Sequence, residues 1–200
     1  MYTRLTTWTN ATDIDGGIEY LRSTALPAFQ EQQGYQGLSA SVDRSAGKCV
    51  VLSLWETEAD RDASESALGK ARNEASEIIG GTMKSEKLEE LVSEVVNLPA
   101  PGTALMVTPF SMDPAKIDEN LNYFKSEVLP RIKAAPGFCA VRNMVNRSSG
   151  EGYVGTMWAD RAAMDEQVEA AAASRRAAAS TQGITFGDIS LREIVLVDAR

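Results

Sequence analysis

The 200-residue chain has no histidine, two cysteines and few aromatic residues, which make up 6% of it. Each shortage excludes something. Without histidine the chain lacks the commonest general base at neutral pH and the commonest transition-metal ligand. Two separated thiols, Cys49 and Cys139, cannot replace those ligands, so no metal site is expected and none is assigned. Both fall in predicted strands, where a thiol packs as a small hydrophobe and a disulfide is not expected. Basic residues are also short: 20 Lys and Arg against 28 Asp and Glu leave a net charge of -8. That balance argues against nucleic acid or an anionic membrane surface as the partner. No apolar run approaches the length of a bilayer span. Met1-Tyr2-Thr3-Arg4-Leu5 shows no basic region followed by an apolar stretch, and the expected compartment is the cytoplasm. What remains is an ordinary globular composition, 44% hydrophobic, long enough to bury a core.

What is present is a repeat. Shifted by 103 positions the sequence aligns with itself without a gap, Leu26-Pro27 on Leu129-Pro130, Gly34-Tyr35 on Gly137-Phe138, Trp55 on Trp158, Arg72 on Arg175 and Gly80 on Gly183. One offset that preserves turn glycines, a proline and a tryptophan marks a tandem duplication. Residues 1–97 form the first repeat, residues 98–102 (Leu-Pro-Ala-Pro-Gly) a linker of structure breakers, and residues 103–200 the second repeat.

Each repeat is read with the other as a check. Tyr2 to Thr9 and Leu105 to Phe110 are rich in β-formers and are predicted first strands. Ile14, Ile18, Leu21, Ala25 and Phe29 recur at helical spacing, as do Ile117, Leu121, Phe124, Val128 and Ile132. Hairpins are predicted at 35–56 and 138–159, turning at Ser- and Gly-containing segments. Alanine-rich second helices start near Thr57 and Asp160; their small side chains let a helix lie close on a sheet or leave room for a ligand. Strands near 86–92 and 189–197 close the repeats. The order β-α-β-β-α-β, twice, is α+β and ferredoxin-like, and each four-stranded sheet needs a cover on its open face. The second copy is expected to supply it.

A glycine–aromatic pair opening the second strand (Gly34-Tyr35, Gly137-Phe138), and a tryptophan closing the third before a polar helix start (Trp55-Glu56-Thr57, Trp158-Ala159-Asp160), resemble the antibiotic-biosynthesis monooxygenase superfamily. The resemblance covers nearly the whole chain. It implies a dimeric α/β-barrel built here from two copies in one chain, and a ligand pocket between each sheet and its helices. It also implies a small-molecule ligand, in the family's oxygenases an aromatic one. Fold alone does not specify activity. Those oxygenases often pair the tryptophan with an asparagine and a histidine or tyrosine, where this chain has Val51 and Val154 four residues before, and Glu65 and Val168 ten residues after. Haem degradation through a histidine ligand is thereby excluded.

Six residues are candidates for contact with a ligand. Trp55 and Trp158 each offer a flat indole face and an N–H, although a tryptophan at that corner commonly fills a core. Arg4 and Trp8 share one face of the first strand with Thr6, opposite Val107, Pro109 and Ser111 in the gapless alignment. Arg4 could hold an acidic or enolate oxygen, which favours the first repeat as the site for an acidic ligand. Asn143 and Tyr153 are the polar groups of the second hairpin. No catalytic residue is assigned, since no nucleophile elbow, carboxylate pair or phosphate loop is present. The expected function is small-molecule binding without a cofactor, with cofactor-independent oxygenation of an aromatic or quinol as the chemistry and a non-catalytic binding module as the alternative. Association into a homo-oligomer is left open.

Overall fold

The computed structural model describes residues 1–199. The first repeat runs β1 (Tyr2–Thr9), α1 (Ile14–Tyr20), a π-helical turn (Leu21–Ala25), α2 (Leu26–Gln30), β2 (Tyr35–Asp43), β3 (Lys48–Trp55), α3 (Glu58–Ala67), α4 (Gly69–Ile79) and β4 (Thr82–Val95). The second runs β5 (Ala104–Ser111), a short 3-10 turn, α5 (Ile117–Tyr123), a π-helical turn (Phe124–Val128), α6 (Leu129–Ala134), β6 (Phe138–Val145), β7 (Glu151–Trp158), α7 (Arg161–Glu166), α8 (Val168–Gln182), β8 (Thr185–Phe186) and β9 (Ser190–Ala199). This is the predicted order, with β8 added.

Local chemistry explains the matching details. Pro27 and Pro130 lack an N–H and crowd the carbonyl one turn back, and a widened π turn just before each Leu-Pro pair relieves that conflict. Asp13, Thr57, Asp113 and Asp160 each accept a backbone N–H at a helix start. Gly80 and Gly183, both at positive φ, end α4 and α8.

The strands hydrogen-bond in the order β7-β6-β4-β1-β3-β2-β9-β5-β8, and β7 also pairs with β5, so the order closes on itself. The compact units differ from the sequence repeats in their last strands. One unit is Met1–Leu88 with the C-terminal stretch from Glu193, and the other is Glu89–Arg192. β9 pairs with β2 from Gly37↔Ala199 to Val42↔Glu193, and β4 pairs with β6 from Glu89↔Val145 to Val95↔Ala140. Each repeat thus ends by adding a strand to the other repeat's hairpin. The linker 98–102 connects β4 to β5 outside any helix or strand.

The register corrects the gapless alignment. Tyr2 pairs with Trp55 and Ala104 with Trp158. The tryptophans lie 103 apart, but their partners lie only 102 apart (104 less 2). Arg4, Thr6 and Trp8 therefore correspond to Met106, Thr108 and Phe110, and not to Val107, Pro109 and Ser111. A one-residue slip moves every side chain to the opposite face of a strand, so the earlier comparison set one face of β1 against the wrong face of β5.

Candidate functional site

The helix-facing side of the first unit is a filled core. Trp55 is fully buried, its Nε1 donating to Ser53 Oγ at 3.0 Å, and its ring packs against Phe29 and Tyr35 with centroids 6.2 and 5.8 Å away. Trp8 is buried in the same cluster and donates to Ser76 Oγ at 2.9 Å. Arg4 is 3% exposed; its Nη2 donates to the carbonyl of Arg61 at 3.0 Å and its Nη1 is ion-paired with Glu65. A Cβ added at Gly17 would lie 2.3 Å from Ile79 Cγ1, so α1 and α4 are held at glycine distance.

The same side of the second unit is hollow. A cavity of about 160 Å³ lies between the sheet and the helices. Met106, Phe110, Val145, Val154 and Trp158 line its sheet side, and Ile117, Phe124, Ala171, Ser174 and Ala178 its helix side. Substitutions between the repeats account for the space. Ala171 occupies the position of buried Leu68, Ile132 that of Phe29, and Phe110 that of Trp8. Asn120 replaces Gly17, which places a polar side chain on the apolar stripe of α5. The second helix also breaks earlier, at Gln167, where the first repeat breaks at Leu68.

Two of the six sequence candidates line this cavity. Trp158 is 3% exposed, donates its Nε1 to Thr156 Oγ1 at 3.1 Å, and stands edge-on to Phe138 with centroids 5.9 Å apart. The Oδ1 of buried Asn143 has no hydrogen-bond partner among the described residues. Tyr153 is half-buried and alternates with Val154 and Thr156 on β7, which puts it on the opposite face. Arg4, Trp8 and Trp55 belong to the first unit's core, with the contacts given above. Arg4 is ion-paired with Glu65, a carboxylate it shares with Arg72, and its Nε has no hydrogen-bond partner among the described residues.

The sequence reading passed over two polar residues of the cavity. Asn120 is 4% exposed; its Nδ2 lies 3.3 Å from Met112 Sδ, and its Oδ1 is unpartnered. Arg175 extends from α8, and its Nη1 is sealed from solvent without a hydrogen-bond partner among the described residues. Burial, and secondarily Arg176, lower the pKa of its guanidinium. No Asp or Glu lines the cavity among the described residues. Arg131 also borders it but points a guanidinium nitrogen at Glu127, 3.4 Å away. The arrangement offers an apolar slot bordered by Trp158, with two buried acceptors and, on half-buried Arg175, one guanidinium nitrogen sealed from solvent. Buried polar atoms of this kind cost free energy until something pairs with them.

Comparison with known proteins bears on the fold. No protein-family model matches the chain. It is 34% identical over 137 residues to the uncharacterized protein Rv2557 of Mycobacterium tuberculosis, a match covering 68% of this chain and 61% of that protein. The chain thus spans about 61% of that relative's length. Among solved structures, an anthrone oxidase-like protein matches with a TM-score of 0.69 at 16% identity, over 99% of this chain and 92% of its own. A ferredoxin-fold protein of Listeria monocytogenes related to antibiotic biosynthesis monooxygenases matches with a TM-score of 0.53 at 10% identity, over 94% and 93%. The chain has the antibiotic-biosynthesis monooxygenase-like fold. It is the dimeric α/β-barrel arrangement with both ferredoxin-like modules in one polypeptide, as the sequence resemblance implied. No helix is long and apolar enough to cross a membrane, among the described residues.

Proposed function

We propose that this protein binds a small aromatic molecule in the cavity of the second repeat, and that the chemistry it supports is cofactor-independent oxygenation of a phenol, quinol or anthrone-like carbon acid. The observation that supports this reading is the cavity itself, whose apolar walls, Trp158 among them, surround three buried polar atoms with no partner among the described residues. An apolar pocket with a few convergent polar groups is the usual form of a small-molecule site. In such chemistry the ionised substrate reduces oxygen, a carbon–oxygen bond forms to give a hydroperoxide, and loss of water leaves the carbonyl. A methylene substrate and one O₂ become a ketone and one water. The protein's part is to exclude solvent, hold the ring, and stabilise the anion.

A second reading, binding without turnover, is supported by the absence of a carboxylate from the lining among the described residues. Nothing there matches the usual general base. Oxygen uptake with anthrone as probe separates the two. Consumption of one O₂ per anthrone above the rate without protein supports oxygenation. Anthrone bound with no uptake supports the binding module, and no binding at all overturns both.

A further inference from the structure

From the two arginines at one repeat position, Arg72 and Arg175, we infer that the cavity of the second repeat selects an aromatic anion, with Arg175 as the residue that binds its oxyanion. This rests on the proposed small-molecule site and names the class of ligand it takes.

The two repeats show the same cation in two states. In the first, Arg72 shares one carboxylate, Glu65, with Arg4, and its own Nη1 has no hydrogen-bond partner among the described residues. Its Nη2 lies 3.0 Å from Glu65 Oε1 and 2.5 Å from the Glu65 carbonyl. In the second, the position of Glu65 is held by Val168, while the arginine is kept as Arg175. The carboxylate has gone and the cation remains, at the wall of a cavity that the first unit fills with side chains.

A guanidinium nitrogen sealed from solvent with no carboxylate beside it is costly, because burial removes its hydration and no counter-charge replaces it. Its ordinary remedy, losing the proton, is closed to arginine in proteins. An anionic ligand supplies the missing charge and accepts from Nη1 in the planar geometry that guanidinium and carboxylate share.

The two asparagines refine the choice. Asn120 Oδ1 and Asn143 Oδ1 are acceptors without donors, so the complementary ligand carries hydroxyl or N–H groups besides its oxyanion. Trp158 and Phe110 line the cavity as aromatic partners for it. A hydroxylated aromatic acid or a phenolate fits all three requirements. The shared chemistry is an oxyanion on an aromatic ring.

The test uses the whole protein and three fluorescent probes: 6-hydroxy-2-naphthoate, its neutral carboxamide, and 2,6-dihydroxynaphthalene. Wild type is expected to bind the acid at least about tenfold more tightly than the amide, the range of a charge-assisted bond. Arg175→Gln should abolish that preference while leaving amide affinity within about threefold, and Arg175→Lys should keep part of it. Val168→Glu, which installs the first repeat's own carboxylate, should remove acid binding in the same way. Retained amide binding shows that each variant is folded. Absorbance of bound dihydroxynaphthalene separates the two sources of the anion. A phenolate spectrum at a pH where the free probe is neutral shows that Arg175 ionises a phenol, and a neutral spectrum beside tight naphthoate binding shows that it takes a carboxylate. Acid and amide binding equally in wild type, or the preference surviving both Arg175→Gln and Val168→Glu, would overturn the assignment and leave the cavity as a site. Failure of all three probes to bind would overturn the site reading as well.

Discussion

Arg72 and Glu65 form an ion pair within one helical pair, Nη2 to Oε1 at 3.0 Å, and the same two positions in the second repeat hold Arg175 and Val168. The two arginines should therefore answer differently to the same substitution. Replacing Arg72 by Met removes a guanidinium that is half of a partly buried pair, and should cost about 1–3 kcal/mol. Replacing Arg175 by Met removes a half-buried charge with one nitrogen sealed from solvent and unpartnered among the described residues, and should be neutral or stabilising without ligand. Urea unfolding of both variants checks this; equal losses would mean that Arg175 has an internal partner in solution.

Ala171→Leu transplants the side chain that the first repeat carries as Leu68, a residue only 1% exposed. The added carbons enter a cavity of about 160 Å³, and filling such space recovers transfer and packing energy of about 1–2 kcal/mol when the side chain fits. The variant should melt higher than wild type and lose affinity for both the naphthoate and the amide. A lower melting temperature with probe binding intact would place the ligand elsewhere.

The Tyr20–Glu74 contact predicts how stability varies with pH. The phenol donates to Glu74 Oε2 at 2.5 Å, and its pKa is pushed up to about 12, by burial first and then by the hydrogen bond and the carboxylate charge. A raised folded-state pKa means that the native state holds the proton more tightly, so this contribution is full below the unfolded value of about 10 and is lost as pH rises toward 12. Glu74 is shifted the opposite way, chiefly by the same hydrogen bond, and its contribution is lost as pH falls through its lowered pKa. Tyr20→Phe should flatten both limbs. Melting temperature against pH for the two proteins measures this, and parallel curves would refute it.

Most of the fold was legible because the repeat doubled every signal. The strand assignment of β4 came from the β-branched residues of β9, since Glu86 to Val92 alone suits a helix. What escaped was long-range. No local pattern says that β4 and β9 each finish in the other repeat's hairpin, or that β1 and β5 differ by one residue in register. That single slip hid the match of Arg4 with Met106. Of the cavity's lining, Trp158 and Asn143 stand out in the sequence, but a cavity depends on summed volumes across elements, which single positions do not reveal. Arg175 was within reach, because Arg72 aligned with it while Glu65 faced Val168.

Trp158 alone among the three tryptophans lines the cavity, while Trp8 and Trp55 sit in the core cluster of the first unit. An aromatic ligand in contact with an indole perturbs its emission, so the naphthoate should change the intrinsic fluorescence of wild type in a saturable way. Trp158→Phe should remove that change and weaken binding by about threefold to tenfold, since an aromatic contact is worth about 0.5–1.5 kcal/mol beyond area. Trp8→Phe and Trp55→Phe should leave the change in place. Trp55→Phe should instead lower stability by about 1–3 kcal/mol, because its indole fills space between Phe29 and Tyr35 and its N–H bonds Ser53. A signal that survives Trp158→Phe but vanishes with Trp55→Phe would move the ligand to the first repeat, against the packing found there.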